Sequence, residues 1–444
     1  MKKILVIVIV IVLLCAWMGY VYHLHSSTTD QMQTVSDMSV STDPVSDESV
    51  TISDPPPTEK TRENSQWRGK NRDGVYSETG LLKVWPADGP ELLWKYEGLD
   101  EGFTSVAIAN RKIYVTGQTD DNIMLYVLNL KGELLNKKVV GQEWSTNYTG
   151  TRCTVAVNDG KLYIFNSLGQ LRCLNETTLN EIWKKDALGD FDGKNIMYGM
   201  TESPLIVGDK IFITPGGAQH NMVALNKNTG ALIWSSPGLG TPSAYCSPLY
   251  IGNHSVPIVV TCMMQDIIAF NADTGEMLWS HQRINDFNVH PNIPIYSDGM
   301  IFSVTGYGVG ARLLRLTDGG KSVELVWKNE EMDNLLGSAI RMGDYIYGSG
   351  HYNKYFFCVD WKTGLTKYKV REIGECNIIS ADGMLYCYSE KGSMNLVKPN
   401  PNRFELISSF KVPYGTGEHW AHPVIHEGVL YLRHGDALMA YKIK

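Results

Sequence analysis

From Gln66 onward the chain alternates short apolar runs with polar turns. The clearest unit is Ala224 to Trp234, A-L-N-K-N-T-G-A-L-I-W. It returns as Ala269 to Trp279, A-F-N-A-D-T-G-E-M-L-W, keeping the Ala, the Asn, the Thr-Gly and the closing Trp. Two apolar runs around a turn ending in Thr-Gly predict a hairpin. Gly takes positive φ where the turn closes, and the Asn side chain holds the turn's amides. The closing Trp is too large for one hairpin to bury, so it must pack on a neighbouring unit. Cys173 to Trp183 and Cys358 to Tyr368 are weaker copies, and Leu93-Trp94 and Val326-Trp327 keep only the last strand. Trp94, Trp183, Trp234, Trp279 and Trp327 are therefore read as one recurring structural position.

A longer cycle contains this hairpin: apolar run, Gly-bearing turn, second apolar run. It begins at Ser105, Thr154, Pro204, Pro248, Ile293, Ala339, Ile378 and Pro423, eight units spaced 39 to 50 residues apart. Four strands per unit at that period predict an all-β, eight-bladed β-propeller over residues 65–444. The last unit has room for only three strands before Lys444, while a spare strand at 91–96 precedes the first. Pairing the two closes the ring and removes the exposed sheet edges.

Ahead of the propeller, Ile4 to Tyr22 carries no charge and follows Lys2-Lys3. It is long enough to span a bilayer, and residues 1–25 read as a hydrophobic helix that is a transmembrane anchor or a signal segment. Cys15 keeps lipidation open. Each alternative leaves the lysines inside and exports the bulk of the chain, to the periplasmic side of a cell membrane in a bacterium. Residues 26–64 are rich in Ser, Thr, Asp and Pro and read as a disordered acidic linker.

A net charge of −7 with pI near 5.9, and no basic block beyond Lys2-Lys3, argue against nucleic acid as a partner. Eleven Trp, 23 Tyr and 42 Gly suit a sheet-rich chain with many tight turns. No G-x-S-x-G elbow, H-E-x-x-H or P-loop occurs, which leaves hydrolase and nucleotide-driven readings without support.

The A-x-[DN]-x-x-T-G-x-x-x-W repeat resembles the tryptophan-docking repeat of the pyrroloquinoline quinone (PQQ)-like propeller superfamily. The lead-in Q-W-R-G-K-N-R-D-G-V resembles that of a bacterial subgroup. The resemblance covers residues 65–444 and implies two kinds of relative: quinoprotein alcohol dehydrogenases, and the non-catalytic scaffold of the outer-membrane protein assembly machinery. The dehydrogenases hold PQQ between a Trp and a disulfide of adjacent cysteines, with Ca²⁺ alongside. Here the cysteines are 15, 153, 173, 246, 262, 358, 376 and 387, with no adjacent pair. No cofactor is therefore expected, PQQ with Ca²⁺ belonging to the alternative in which the protein is an alcohol or sugar dehydrogenase. A disulfide between Cys246 and Cys262 is open, buried thiols are the general expectation, and no zinc spacing is present.

Candidate chemistry lies in the loops before each innermost strand, which ring one mouth of the channel. Arg152, Glu202, Tyr245, His290, Asn292, Asn377, Trp420 and His422 sit in these loops and predict a ligand funnel for a protein, peptide or glycan. In it, Arg152 meets an anion, Glu202 a cation or hydroxyl, and the two histidines give binding that varies between roughly pH 5 and 8. Polar filling of a wide channel is the competing reading of the same residues.

Overall fold

Each apolar run pairs antiparallel with the next across a Gly- or Asp-bearing turn. The result is eight sheets, seven of four strands and one of five. The computed structural model describes residues 64–336 and 339–444. The predicted hydrophobic segment 1–25, and the linker up to residue 63, lie outside the described residues. Blade one is typical: Ala107–Ala109, Lys112–Thr119, Asn122–Asn129 and Leu134–Gln142, paired in that order. The first strands of the other blades begin at Ala156, Leu205, Leu249, Ile295, Ala339, Cys376 and Val424. All eight predicted units are present as blades of a propeller ring. The fifth strand of blade seven is Val75–Tyr76, which runs parallel to the innermost strand Cys376–Ala381.

Blade eight closes as the strand count requires. Glu91–Glu97 adds to Ala437–Lys442 as its outer strand, with Trp94 opposite Ala440. The Trp positions then explain how blades adhere. Trp94, Trp183, Trp234, Trp279 and Trp327 each donate the indole N–H to a carbonyl of the next blade, at Leu130, Lys227, Ala272, Gly320 and Trp361, over 2.9–3.1 Å. Four of these rings also lie flat against a turn glycine of that blade. A Cβ on Gly132, Gly230, Gly275 or Gly364 would stand 2.5–2.8 Å from the indole of Trp94, Trp183, Trp234 or Trp327. These turn glycines, three of them following Thr, thus serve twice, taking φ of +69 to +80° and leaving space for the preceding blade's Trp.

A second seam joins the blades near the axis. Ser105 N–H donates to Thr154, Thr154 N–H to Ser203, and Ser203 N–H to Ser247, each through a hydroxyl at 2.9–3.1 Å. Ser105 Oγ donates in turn to the His422 carbonyl. These backbone groups precede the first strands and have no ladder partner, so hydroxyls of the next blade supply one.

The lead-in to the propeller occupies the channel. Asn64 Nδ2 donates to the Ile425 carbonyl and the Ser65 carbonyl accepts from Val157. Arg68 and Arg72 are each 2% exposed. The first donates to the Asp73 and Ala339 carbonyls, the second to those of Ser203 and Pro204. Two buried guanidiniums thus fill the axis by binding carbonyl oxygens at the inner ends of blades three and six.

Candidate functional site

At one end of the channel is a cavity of about 360 Å³. Trp67 of the lead-in contributes to its lining, with its ring edge-on to His422 at 5.2 Å. The wall is aromatic over much of its circumference. Phe103 packs on Trp420 at 5.0 Å, Trp420 on Tyr148 at 5.5 Å, Tyr148 on Tyr198 at 5.7 Å and Tyr198 on Tyr245 at 5.9 Å. Tyr307 and His351, 5.0 Å apart, face it from another sector. Exposed apolar side chains border this lining, each 47–61% accessible: Tyr148 itself, Phe287 and Tyr352, whose rings pack on Tyr307, and Met197, next to Tyr198 in sequence.

Backbone strain gathers here. Among the described residues the aromatic side chains with left-handed backbone are Tyr148 (φ 45°), Tyr245 (φ 73°) and Tyr307 (φ 61°), and all three line the cavity. A bulky residue at positive φ costs about 1–3 kcal/mol and persists only where its surroundings hold it.

Charge is unevenly distributed. Arg152 donates to the carbonyls of Asn147 and Tyr148 and to Ser167 Oγ, and burial pulls its guanidinium below the ordinary arginine range. On another sector Lys354 bridges Glu375 at 2.5 Å and Glu390 at 3.0 Å, and His351 Nδ1 lies 3.1 Å from Glu375.

Of the eight residues predicted to form the funnel, Arg152, Tyr245, Trp420 and His422 line the cavity. The other four turn into the wall, contrary to expectation, because each satisfies a buried polar group there. Glu202 accepts from the Thr214 amide and hydroxyl and is fully buried. His290 bonds Thr305 Oγ1 and the Met264 carbonyl. Asn292 donates to the Asn334 carbonyl and Asn377 to the Trp420 carbonyl, both across to the next blade. Nor is His290 poised near neutrality: burial drops it to about 3. Burial instead pushes Glu202 up to about 7.

Sequence reasoning missed Trp67, Tyr307, His351, Glu375 and Glu390. Tyr307, His351 and Glu390 lie between the second and third strands of their blades, and those loops open on the same face as the loops before first strands. Glu375 does precede a first strand, two residues before Asn377.

The donor set does not suit PQQ with Ca²⁺. The carboxylates lining the cavity, Glu375 and Glu390, are both held by Lys354, which leaves no open cage of oxygen ligands for a hard cation. Among the described residues no three His, Cys, Asp or Glu side chains converge so as to hold a metal. All seven described cysteines are free thiols and buried.

The fold has known relatives. The eight-bladed ring superposes on BamB from Moraxella catarrhalis with a TM-score of 0.60 at 11% identity, covering 80% of this chain and 100% of that one. A europium-containing methanol dehydrogenase matches with a TM-score of 0.58 at 13% identity, covering 85% and 91%. A quinohemoprotein alcohol dehydrogenase, ADHIIG, from Pseudomonas putida HK5 matches at 0.59 and 14%, covering 86% and 81%. In sequence, the quinoprotein alcohol dehydrogenase PedH of Pseudomonas putida is 21% identical over 218 residues, 45% of this chain. The match spans 36% of that relative's own length. A family model described as outer membrane protein assembly factor BamB matches residues 129–249 and 199–401, together more than half of the chain. The chain belongs to that family of PQQ-like repeat propellers.

Proposed function

We propose that the protein is an exported, membrane-tethered binding module whose cup receives a segment of a protein or peptide, without cofactor chemistry. The observation that carries this reading is the strain at Tyr148, Tyr245 and Tyr307, because rings held at backbone cost around one cavity are presented rather than packed away. The rim supports it, since aromatic and Met side chains are the types enriched in protein interfaces. The uncharged run Ile4 to Tyr22 and the linker after it supply the tether. A role as an assembly scaffold accords with the family's description.

The second reading, a PQQ-dependent alcohol or sugar dehydrogenase, rests on the likeness to PedH. Against it stand the missing adjacent cysteines and the two carboxylates tied to Lys354. Trp67 and Trp420 report on the cavity, so indole emission separates the readings. Titrating the full chain with PQQ and Ca²⁺ should leave emission unchanged. Peptides selected for binding to it should quench it and lose at least about tenfold in affinity on Trp420→Ala, the usual cost of an interface anchor. Saturable quenching by PQQ at one equivalent would reverse the assignment.

A further inference from the structure

Away from the cup's aromatic wall, the seven described cysteines include two that share a blade's first and second strands in each of two places. In blade four, Cys246 stands three residues before Leu249–Ile251 and Cys262 ends Ile258–Cys262. In blade seven, Cys376 and Cys387 lie two rungs apart, opposite Ser389 and Ile378. Thr261 Oγ1 donates to the Cys246 carbonyl, each pair lies within one core cluster, and all four thiols are buried.

The pairs differ in what surrounds them. Arg283, 1% exposed, places Nη2 3.3 Å from Cys262 Sγ and Nη1 2.5 Å from Ser303 Oγ. Its Nε has no hydrogen-bond partner, and among the described residues no carboxylate forms an ion pair with it. A buried cation without a counter-ion is costly, and here the acidic group touching it is a thiol. The Cys246 thiol, with Arg283, draws Cys262 down to about 6, whereas burial and Cys376 drive Cys387 upward. No cation contributes at Cys387, so the molecule carries its own control.

We propose that Cys246 and Cys262, with the buried guanidinium of Arg283 against Cys262 Sγ, form a peroxide-responsive dithiol. Cys262 sulfur attacks one oxygen of hydrogen peroxide. The O–O bond breaks, a sulfenic acid forms, and hydroxide leaves to become water on taking a proton. Cys246 sulfur then attacks Cys262 sulfur, and the S–O bond breaks. A second water departs with the Cys246 proton, leaving a disulfide. The dithiol loses two electrons and the peroxide gains them. Because the thiolate form is the one that neutralises Arg283, the reduced state is favoured and the disulfide is an oxidising one.

The test exposes the reduced full-length protein to one equivalent of hydrogen peroxide, quenches it with an alkylating agent in denaturant, and follows both pairs by peptide mass spectrometry. The Cys246–Cys262 disulfide should appear at least about tenfold faster than Cys376–Cys387, as thiolate content dictates. Arg283→Gln should remove that advantage. Should that variant fail to fold, Cys246→Ser serves instead: Cys262 should then accumulate as a sulfenic acid trapped by dimedone. Equal rates at the two pairs, or Cys262 passing to sulfinic acid in the wild type with Cys246 still a free thiol, would overturn the proposal. So would a Cys246→Ser protein that gives no dimedone adduct.

Discussion

A tryptophan at the end of a fourth strand meets three demands at once. Its indole buries apolar area between blades, its N–H satisfies a turn carbonyl, and its face covers a glycine that cannot be anything larger. Trp234 does all three, against the Ala272 carbonyl and Gly275. Trp234→Ala should cost about 3–5 kcal/mol, and Trp279→Ala the same, as is usual for a buried aromatic. Gly275→Ala should cost at least about 1 kcal/mol, from its φ of +78° and the clash with Trp234. Chemical denaturation measures all three, and an unmoved midpoint in any of them contradicts the docking geometry. These side chains were legible in the sequence because the repeat holds them in register. The four wall residues were not. A Glu or His before a first strand looks alike whether it faces a ligand or caps a neighbour, as Glu202 caps Thr214.

The same carboxyl makes stability depend on pH. Its folded value is raised from 4.5 to about 7, so its contribution is complete below pH 4.5 and lost as pH rises through 7. His290 acts oppositely: its contribution is present above pH 6.5 and lost as pH falls toward 3. Glu202→Gln isolates the first, since the amide keeps an acceptor for the Thr214 N–H. Between pH 5 and pH 8 the wild type should lose melting temperature relative to this variant. Melts that shift in parallel would show the carboxyl ionised throughout.

At the scale of elements, the ring depends on one strand from the opposite end of the chain. Glu91–Glu97 pairs along the whole of Ala437–Lys442, and without it blade eight keeps three strands and Gly132 loses the indole of Trp94. Removing residues 1–63 should leave a cooperative unfolding transition at the same temperature. Removing residues 1–97 should abolish it, and circular dichroism melts of the two truncations decide. A matching cooperative melt in the longer truncation would contradict closure by this strand. The count of strands made this pairing readable before any coordinates. The parallel strand Val75–Tyr76 was not readable in the same way, because two residues carry no periodicity. Its place follows from Arg68 and Arg72 finding carbonyls in the channel, a tertiary fact.

On the scale of the molecule, the lead-in turns one end of a channel into a cup. With Arg68 and Arg72 across the axis and Trp67 lining the cavity, the cup presents aromatic rings to whatever enters from the rim. Position along the repeat told which end of each blade would face the mouth, and half of the chosen side chains do face it. The second-to-third-strand loops escaped notice because they interrupt a blade rather than separate two. The central claim is that partners bind through this cup. A photo-crosslinking amino acid placed at Tyr198, on the cavity wall, and separately at Leu365, 67% exposed on a hairpin turn of blade six, tests it in the native cell. The account predicts a discrete protein adduct from position 198 that disappears on Trp420→Ala, and none from position 365. Adducts of equal yield from both positions, or an adduct at 198 that survives Trp420→Ala, would contradict it.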